Sequence, residues 1–440
     1  MLTSLLAFIF VIGVLVFVHE LGHFLAARRI GVRVLTFSLG FGPKIAKFRR
    51  GDTEYCISVI PLGGYVKMAG ENPDEQRTGA DDEFMSKSKW ERFQVLIMGP
   101  VMNVLLAIVV MTFVLFQGAE LPAYEDEPPV VGSVVEGSAA ERVGIQVGER
   151  IVSIEDQSTS TWSDLFVAVM PRADRALSVV VSDAAGTRRT LSVTPDSQTE
   201  FEMGDLGVGP IMRPQIRTVA GGEPADIAGL KADDVIESVG GEPLNSDQLI
   251  ALINQSADQS LLLTIRRAGV TQEVEVTPAL VGDVGLIGVS ISPFEVTVVE
   301  PTFVEAFQLS LERNYEWSGL IFQTLVGLFT AETSPKQLVG PVGIAQLSGD
   351  YAELGFVALL SLMSMISLNL GILNLLPVPI LDGGHIVIMA LEGVSRRDFS
   401  IQAKERMLLV GFVMLMTLMV TVVYNDLTRI AWIEGLMPWR

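Results

Sequence analysis

His19-Glu20-Leu21-Gly22-His23 lies inside an apolar run covering residues 2–27. On a helix, His19 and His23 stand one turn apart and share a face. Two neutral imidazoles on one face suit a zinc ion, and the carboxylate of Glu20 between them suits a base acting on water beside the metal. Ionisable groups inside a bilayer are costly, so such a cluster marks a functional site. The chain has three histidines, and two of them fall in this pattern. No positive segment precedes the apolar run and no small-x-small site follows it, which disfavours a cleaved leader.

The 440 residues leave room for several domains. A hydrophobic share of 49% and a mean hydropathy of +0.44 suit a chain that is part membrane and part soluble. The net charge of −20 is uneven: residues 118–350 hold 34 Asp and Glu against 13 Lys and Arg. That balance argues against nucleic acid as a partner. The single Cys56 excludes an intramolecular disulfide. Its strand-like setting, with no histidine near in sequence, speaks against a thiol nucleophile.

Four segments are long and apolar enough to span a bilayer, at about 2–27, 93–117, 354–385 and 405–424. Gly99-Pro100 should kink or break the early turns of the second. Residues 28–50 carry seven Lys or Arg and no acid, which places that segment in the cytoplasm and the acidic block outside. Arg429 and Arg440 in the tail mildly oppose this orientation. Residues 52–60 and 65–68 read as strands joined by Pro61-Leu62-Gly63-Gly64, a hairpin within the 28–92 connection. Residues 301–350 read as an amphipathic, interfacial helical segment followed by a loop.

The acidic block repeats itself. Gly137-Ser138-Ala139-Ala140-Glu141-Arg142-Val143-Gly144-Ile145 aligns with Gly222-Glu223-Pro224-Ala225-Asp226-Ile227-Ala228-Gly229-Leu230 at an offset of 85 residues. That period suits two tandem small domains, at 128–215 and 216–298.

A catalytic zinc needs a third protein ligand and an open position. Asp382 and His385 are the candidates, both in Asn374-Leu375-Leu376-Pro377-Val378-Pro379-Ile380-Leu381-Asp382-Gly383-Gly384-His385. If the first and third spans both run inward, this segment and the paired histidines lie at similar depth. The prolines should break the helix there, and Asn374 could donate to an oxyanion.

His-Glu-Leu-Gly-His in a first span, Asn-x-x-Pro-x-Pro-x-Leu-Asp-Gly in a later one, and PDZ-like repeats between them resemble the site-2 protease family of intramembrane zinc metalloproteases. The repeats, the four-span layout and Gly340-Pro341-Val342-Gly343-Ile344-Ala345 are similar to its bacterial branch, the regulator of sigma-E protease group. The resemblance implies a polytopic α-helical membrane protein with four transmembrane helices, a membrane-associated β-hairpin and two tandem PDZ (α+β) domains outside the membrane. It implies His19, His23 and Asp382 as ligands of one Zn2+, Glu20 as general base, and His385 in a supporting place. Asn374, Asn103 of a G-x-x-x-N element, and Tyr65, Val66 and Lys67 of the hairpin would face substrate. It further implies a bacterial inner membrane location with periplasmic PDZ domains. The substrate would be a single-span membrane protein, an anti-sigma factor already shortened by a first protease, with remnant signal peptides as further substrates. A non-catalytic scaffold binding envelope partners through its PDZ pair is the rival, and Glu20 argues against it. A metal transporter is disfavoured because no inverted repeat is visible.

Overall fold

The computed structural model describes residues 2–71, 79–198, 203–330 and 332–429. The rest of the 28–92 connection (72–78), part of the first repeat (199–202) and Arg440 lie outside these residues. The chain forms two units. One comprises Met1–Gln117, Glu300–Val326 and Leu338–Arg440; the other comprises Gly118–Val299 and Gly327–Gln337.

The first unit is helical, with a small sheet. Among the described residues, four helices are long and apolar enough to cross a membrane: Leu2–Arg29, Lys89–Phe116, Phe356–Asn374 and Ile401–Thr428. The chain is therefore a multi-pass membrane protein with a β-rich soluble part. Leu2, Leu5, Leu6, Ile9 and Phe10 of the first helix are exposed, as lipid-facing residues should be. Gly22 lets the first two helices close up: a Cβ there would meet Met102 Cγ at 2.8 Å and, closer still, the Met98 carbonyl.

Of the kink or break expected at Gly99-Pro100, the break is absent: the second helix runs on from Lys89 to Phe116. Proline removes one N–H and crowds one turn. Packing on both sides keeps the helix in register. Ser364 Oγ and Ser367 Oγ of the third span donate to the carbonyls of Ala107 and Asn103, at 2.8 and 2.7 Å. The amphipathic helix Phe303–Phe329 also docks here, with Ser310 Oγ donating to Ile108 O at 2.8 Å and Phe303 packed edge-on against Phe116. The stretch after it, expected as loop, contains a further helix, Pro341–Leu354. Its first turn is held by Asp426 of the fourth span, whose buried carboxylate accepts from the amides of Gly340, Val342 and Gly343.

The hairpin expected at 52–60 and 65–68 is not formed. Val34–Arg50 and Thr53–Met68 are the two long strands, and the turn between them lies at Gly51 and Asp52. Their pairing folds over on itself. Residues 34–39 pair with 64–68 in antiparallel sense, Thr36 facing Lys67 and Leu39 facing Gly64. On their other side they face 54–57 with both numbers rising together, from Thr36 and Glu54 to Leu39 and Ile57. Residues 44–50 then pair with 53–58. The order across this sheet is 44–50, 53–58, 34–39, 64–68, so the two stretches expected to be neighbours are separated by 34–39. Seven basic residues hid that strand from a hydrophobicity-based reading. Phe24, Val34, Phe37, Val66 and Val95 bury one face of the sheet against the first two helices. Ile45, Phe48, Ile57 and Val59 at the far end are exposed.

Among the described residues, the second unit holds two cores. Trp162, Ile151, Leu165, Val179 and Leu206 fill one; Ile216, Leu249, Leu263 and Ile265 fill the other. Strand Leu177–Ser182 buries every other residue, the alternation of a sheet covered on one face. Each core is closed by a helix with a full capping box, Trp162–Val169 after Thr161 and Ser246–Gln255 after Asn245. The 85-residue repeat has a structural counterpart. Arg189 pairs with Glu149 and donates to the Gly144 carbonyl; Arg267 pairs with Asp234 and donates to the Gly229 carbonyl. Gly144 and Gly229 both turn the chain at positive φ, +77° and +80°. The Asp234 pair holds the Arg267 guanidinium above its ordinary pKa.

Candidate metal centre

The apolar first helix needs no help to form, and its 3.6-residue repeat puts His19 directly below His23. The imidazole rings lie 4.8 Å apart, nearly perpendicular. Asp382 reaches them from the other half of the sequence. The third span ends at Asn374, and the prolines that follow prevent its continuation. Val378 N and Leu381 N donate to Leu376 O and Val378 O, a tight turn that starts a new helix at Asp382. Gly383 and Gly384 allow that turn, since a Cβ on them would collide with the backbone at Leu375 and Val378.

Three donor atoms converge. His19 Nε2 and His23 Nε2 are 3.2 Å apart. Asp382 Oδ2 is 3.3 Å from the first and 3.5 Å from the second. Ligands at about 2.0–2.1 Å from a tetrahedral zinc stand about 3.3–3.4 Å from one another. Two imidazoles and one carboxylate at these separations therefore fit a zinc ion and leave one coordination position for a non-protein ligand. Among the described residues this is the one cluster of three or more such side chains.

The second nitrogens fix the rings. His23 Nδ1 lies 2.8 Å from the Val95 carbonyl, which demands an N–H there and leaves Nε2 with its lone pair. His19 Nδ1 lies 3.2 Å from the amide of Asn103. Gly99 gives the rings room, because a Cβ would come within 2.6 Å of His23 Cε1 and 2.9 Å of His19 Cε1.

Glu20 is buried on the same helix. Gly64 sits against it, so close that a Cβ would meet Glu20 Cγ at 2.9 Å. Thus the strand 64–68, the outermost of its sheet among the described pairings, begins beside Glu20. Tyr65 stacks on Phe41, and Val66 points into the core. Asn374 is half-buried at the end of its helix, and His385 is exposed and outside the donor cluster. Asn103, grouped in the sequence reading with substrate-facing residues, is fully buried and turned to His19. Nothing in the sequence pairs residues 19 and 103.

Residues 7–418 match the sequence model of Peptidase family M50. The chain is 34% identical to the regulator of sigma E protease of Haemophilus influenzae and 33% identical to that of Escherichia coli, in each case over 98% of this chain and 99% of the relative. It is 32% identical, over 97% of its own length, to a Neisseria meningitidis protein whose name includes zinc metalloprotease.

Proposed function

Because this chain belongs to peptidase family M50 and is a zinc metalloprotease of the site-2 type, we propose that His19, His23 and Asp382 hold one zinc ion per chain and that Glu20 is its general base. The observation that carries this reading is the donor triangle of 3.2, 3.3 and 3.5 Å with Glu20 on the same helix. Zinc bound there supplies a Lewis acid that polarises a peptide carbonyl and acidifies water. Glu20 takes the proton from the attacking water and delivers it to the departing amine. Asn374 donates to the carbonyl oxygen under attack.

The substrate is the transmembrane segment of a single-span protein. Its carbonyls are tied up within a helix, so it must be unwound before attack. Strand 64–68 receives it as an added strand, and the main chain of Tyr65, Val66 and Lys67 makes the bonds. The closeness of Gly64, at the start of this strand, to Glu20 supports that placement. The natural substrate on this reading is an anti-sigma factor already shortened by another protease, in keeping with relatives named as regulators of sigma E, with remnant signal peptides as further substrates.

Residues 128–215 and 216–298 act as tandem PDZ domains on the periplasmic side, and the site lies toward the cytoplasm. The repeated arginine–carboxylate–carbonyl network supports the tandem reading. The pair excludes substrates whose outer domains are still bulky.

The test is metal content with site variants. Purified protein should carry one zinc per chain, and His23→Ala or Asp382→Ala should lose metal and cleavage together. Full zinc in His23→Ala would sink the ligand assignment. Deleting 128–295 should admit substrates with intact outer domains; loss of cleavage of pre-shortened substrates, with the remainder folded, would mean that the pair delivers substrate.

A further inference from the structure

We infer that Asn103 is a positioning residue for the metal: its side-chain oxygen accepts a hydrogen bond from Nδ1–H of His19 and thereby turns Nε2 toward the zinc. The inference rests on the zinc site proposed above. His19 Nε2 is the atom that faces His23 and Asp382. A nitrogen that ligates must present its lone pair, so the ring proton of His19 belongs on Nδ1. The side-chain group that meets Nδ1 is the amide of Asn103, at 3.2 Å. The nearer amide atom in the structure is Nδ2, while Oδ1 is buried without a hydrogen-bond partner among the described residues. Two N–H groups cannot bond each other. A half-turn of the amide exchanges its two ends and sets Oδ1 opposite Nδ1–H.

The surroundings hold Asn103 to this task. It is fully buried in the second span. Ser367 Oγ donates to its main-chain carbonyl at 2.7 Å, and Gly371 permits the third span to lie against its Cβ. The two histidines thus reach outward in different ways. His23 is fixed by a main-chain carbonyl that no substitution removes, whereas His19 is fixed by one side chain on another helix. An oxygen acceptor also makes the imidazole a better ligand.

The experiment uses zinc and the full-length protein. Asn103→Leu keeps the size and removes the acceptor; Asn103→Asp keeps the shape and an acceptor. Zinc affinity, read by chelator competition, should fall about 10–100-fold in Asn103→Leu. In Asn103→Asp it should stay within about three-fold of wild type or tighten. His23→Ala, measured beside them, reports on the zinc site itself. If the wild type binds zinc and His23→Ala does not, the site stands. Unchanged affinity in Asn103→Leu, or equal weakening in Asn103→Asp, then overturns the role of Asn103 alone. The wild type supplies a second readout. With three histidines in the chain, 15N-histidine spectra are resolvable. The zinc-loaded protein should show an exchange-protected Nδ1–H on His19, and its hydrogen-bonded shift should vanish in Asn103→Leu. An Nε2–H on His19 in the zinc-loaded wild type would remove His19 from the ligand set, whereas an Nδ1–H shift that is the same in Asn103→Leu as in the wild type overturns the role of Asn103.

Discussion

Gly99→Ala should disable the metal centre while leaving the second span intact. The added methyl would lie 2.6 Å from His23 Cε1 and 2.9 Å from His19 Cε1. Carbon atoms in contact settle at about 3.5–4.0 Å, so the His23 ring has to retreat by about 1 Å. It cannot do so freely, because Nδ1 is bonded to Val95 O. Metal–ligand distances tolerate only about 0.2 Å. Loss of an outer partner of a ligand costs about 10–100-fold in affinity, and moving the ligand itself should cost at least the upper end of that range. A 100-fold loss is about 2.7 kcal/mol. Helix propensity works the other way, since alanine is favoured over glycine by about 1 kcal/mol in a helix interior. Chelator competition on purified protein should show zinc affinity down by about 100-fold or more, with thermal unfolding of the metal-free protein unchanged or improved. Gly13→Ala, in the first span with open space around it, is the matched control and should bind zinc normally. Wild-type affinity in Gly99→Ala would refute the packing argument.

Val66→Pro removes a donor from strand 64–68 and leaves the zinc ligands in place. Cleavage should drop strongly at constant zinc content, and less for substrate spans that already contain Gly or Pro; equal losses for both kinds would mean that the strand only supports the fold. Asp426→Ala strands the amides of Gly340, Val342 and Gly343 at the start of their helix. Each buried unpaired group costs about 1–3 kcal/mol, so the melting temperature should fall by several degrees, and an unchanged melt would show that water replaces the carboxylate. Trp162→Ala empties the first core of the outer unit and should cost about 3–5 kcal/mol there. Limited proteolysis should then cut 128–215 first, and cutting that begins in 216–298 would contradict the two-core description.

The site was legible where chemistry and periodicity coincide. His19 and His23 share a helix face at any tertiary arrangement, and Pro377 and Pro379 must end a span close to Asp382. The four spans followed from length and hydropathy alone. The sheet next to the site was not legible. Its central strand, 34–39, pairs with partners on both sides that are 18 to 34 residues away, and the basic residues around it gave a loop-like reading. Pro100 does not end its helix, which Ser364, Ser367 and Ser310 tie to its neighbours, and such ties between distant segments are not visible in the sequence. Asn103 was visible as a polar residue in a span, but its partner lies 84 positions away and only the packing of the two helices joins them.

The most direct test of the account is cleavage of a tagged single-span substrate by the purified, zinc-loaded protein, comparing wild type with Glu20→Gln. The wild type should cut within the span, as located by mass spectrometry of both fragments, and lose this activity to a chelator. Glu20→Gln should keep its zinc and hold the uncut substrate, while the rate falls by about 100-fold or more, because only the proton carrier is missing. Near-normal turnover by zinc-loaded Glu20→Gln would contradict the account.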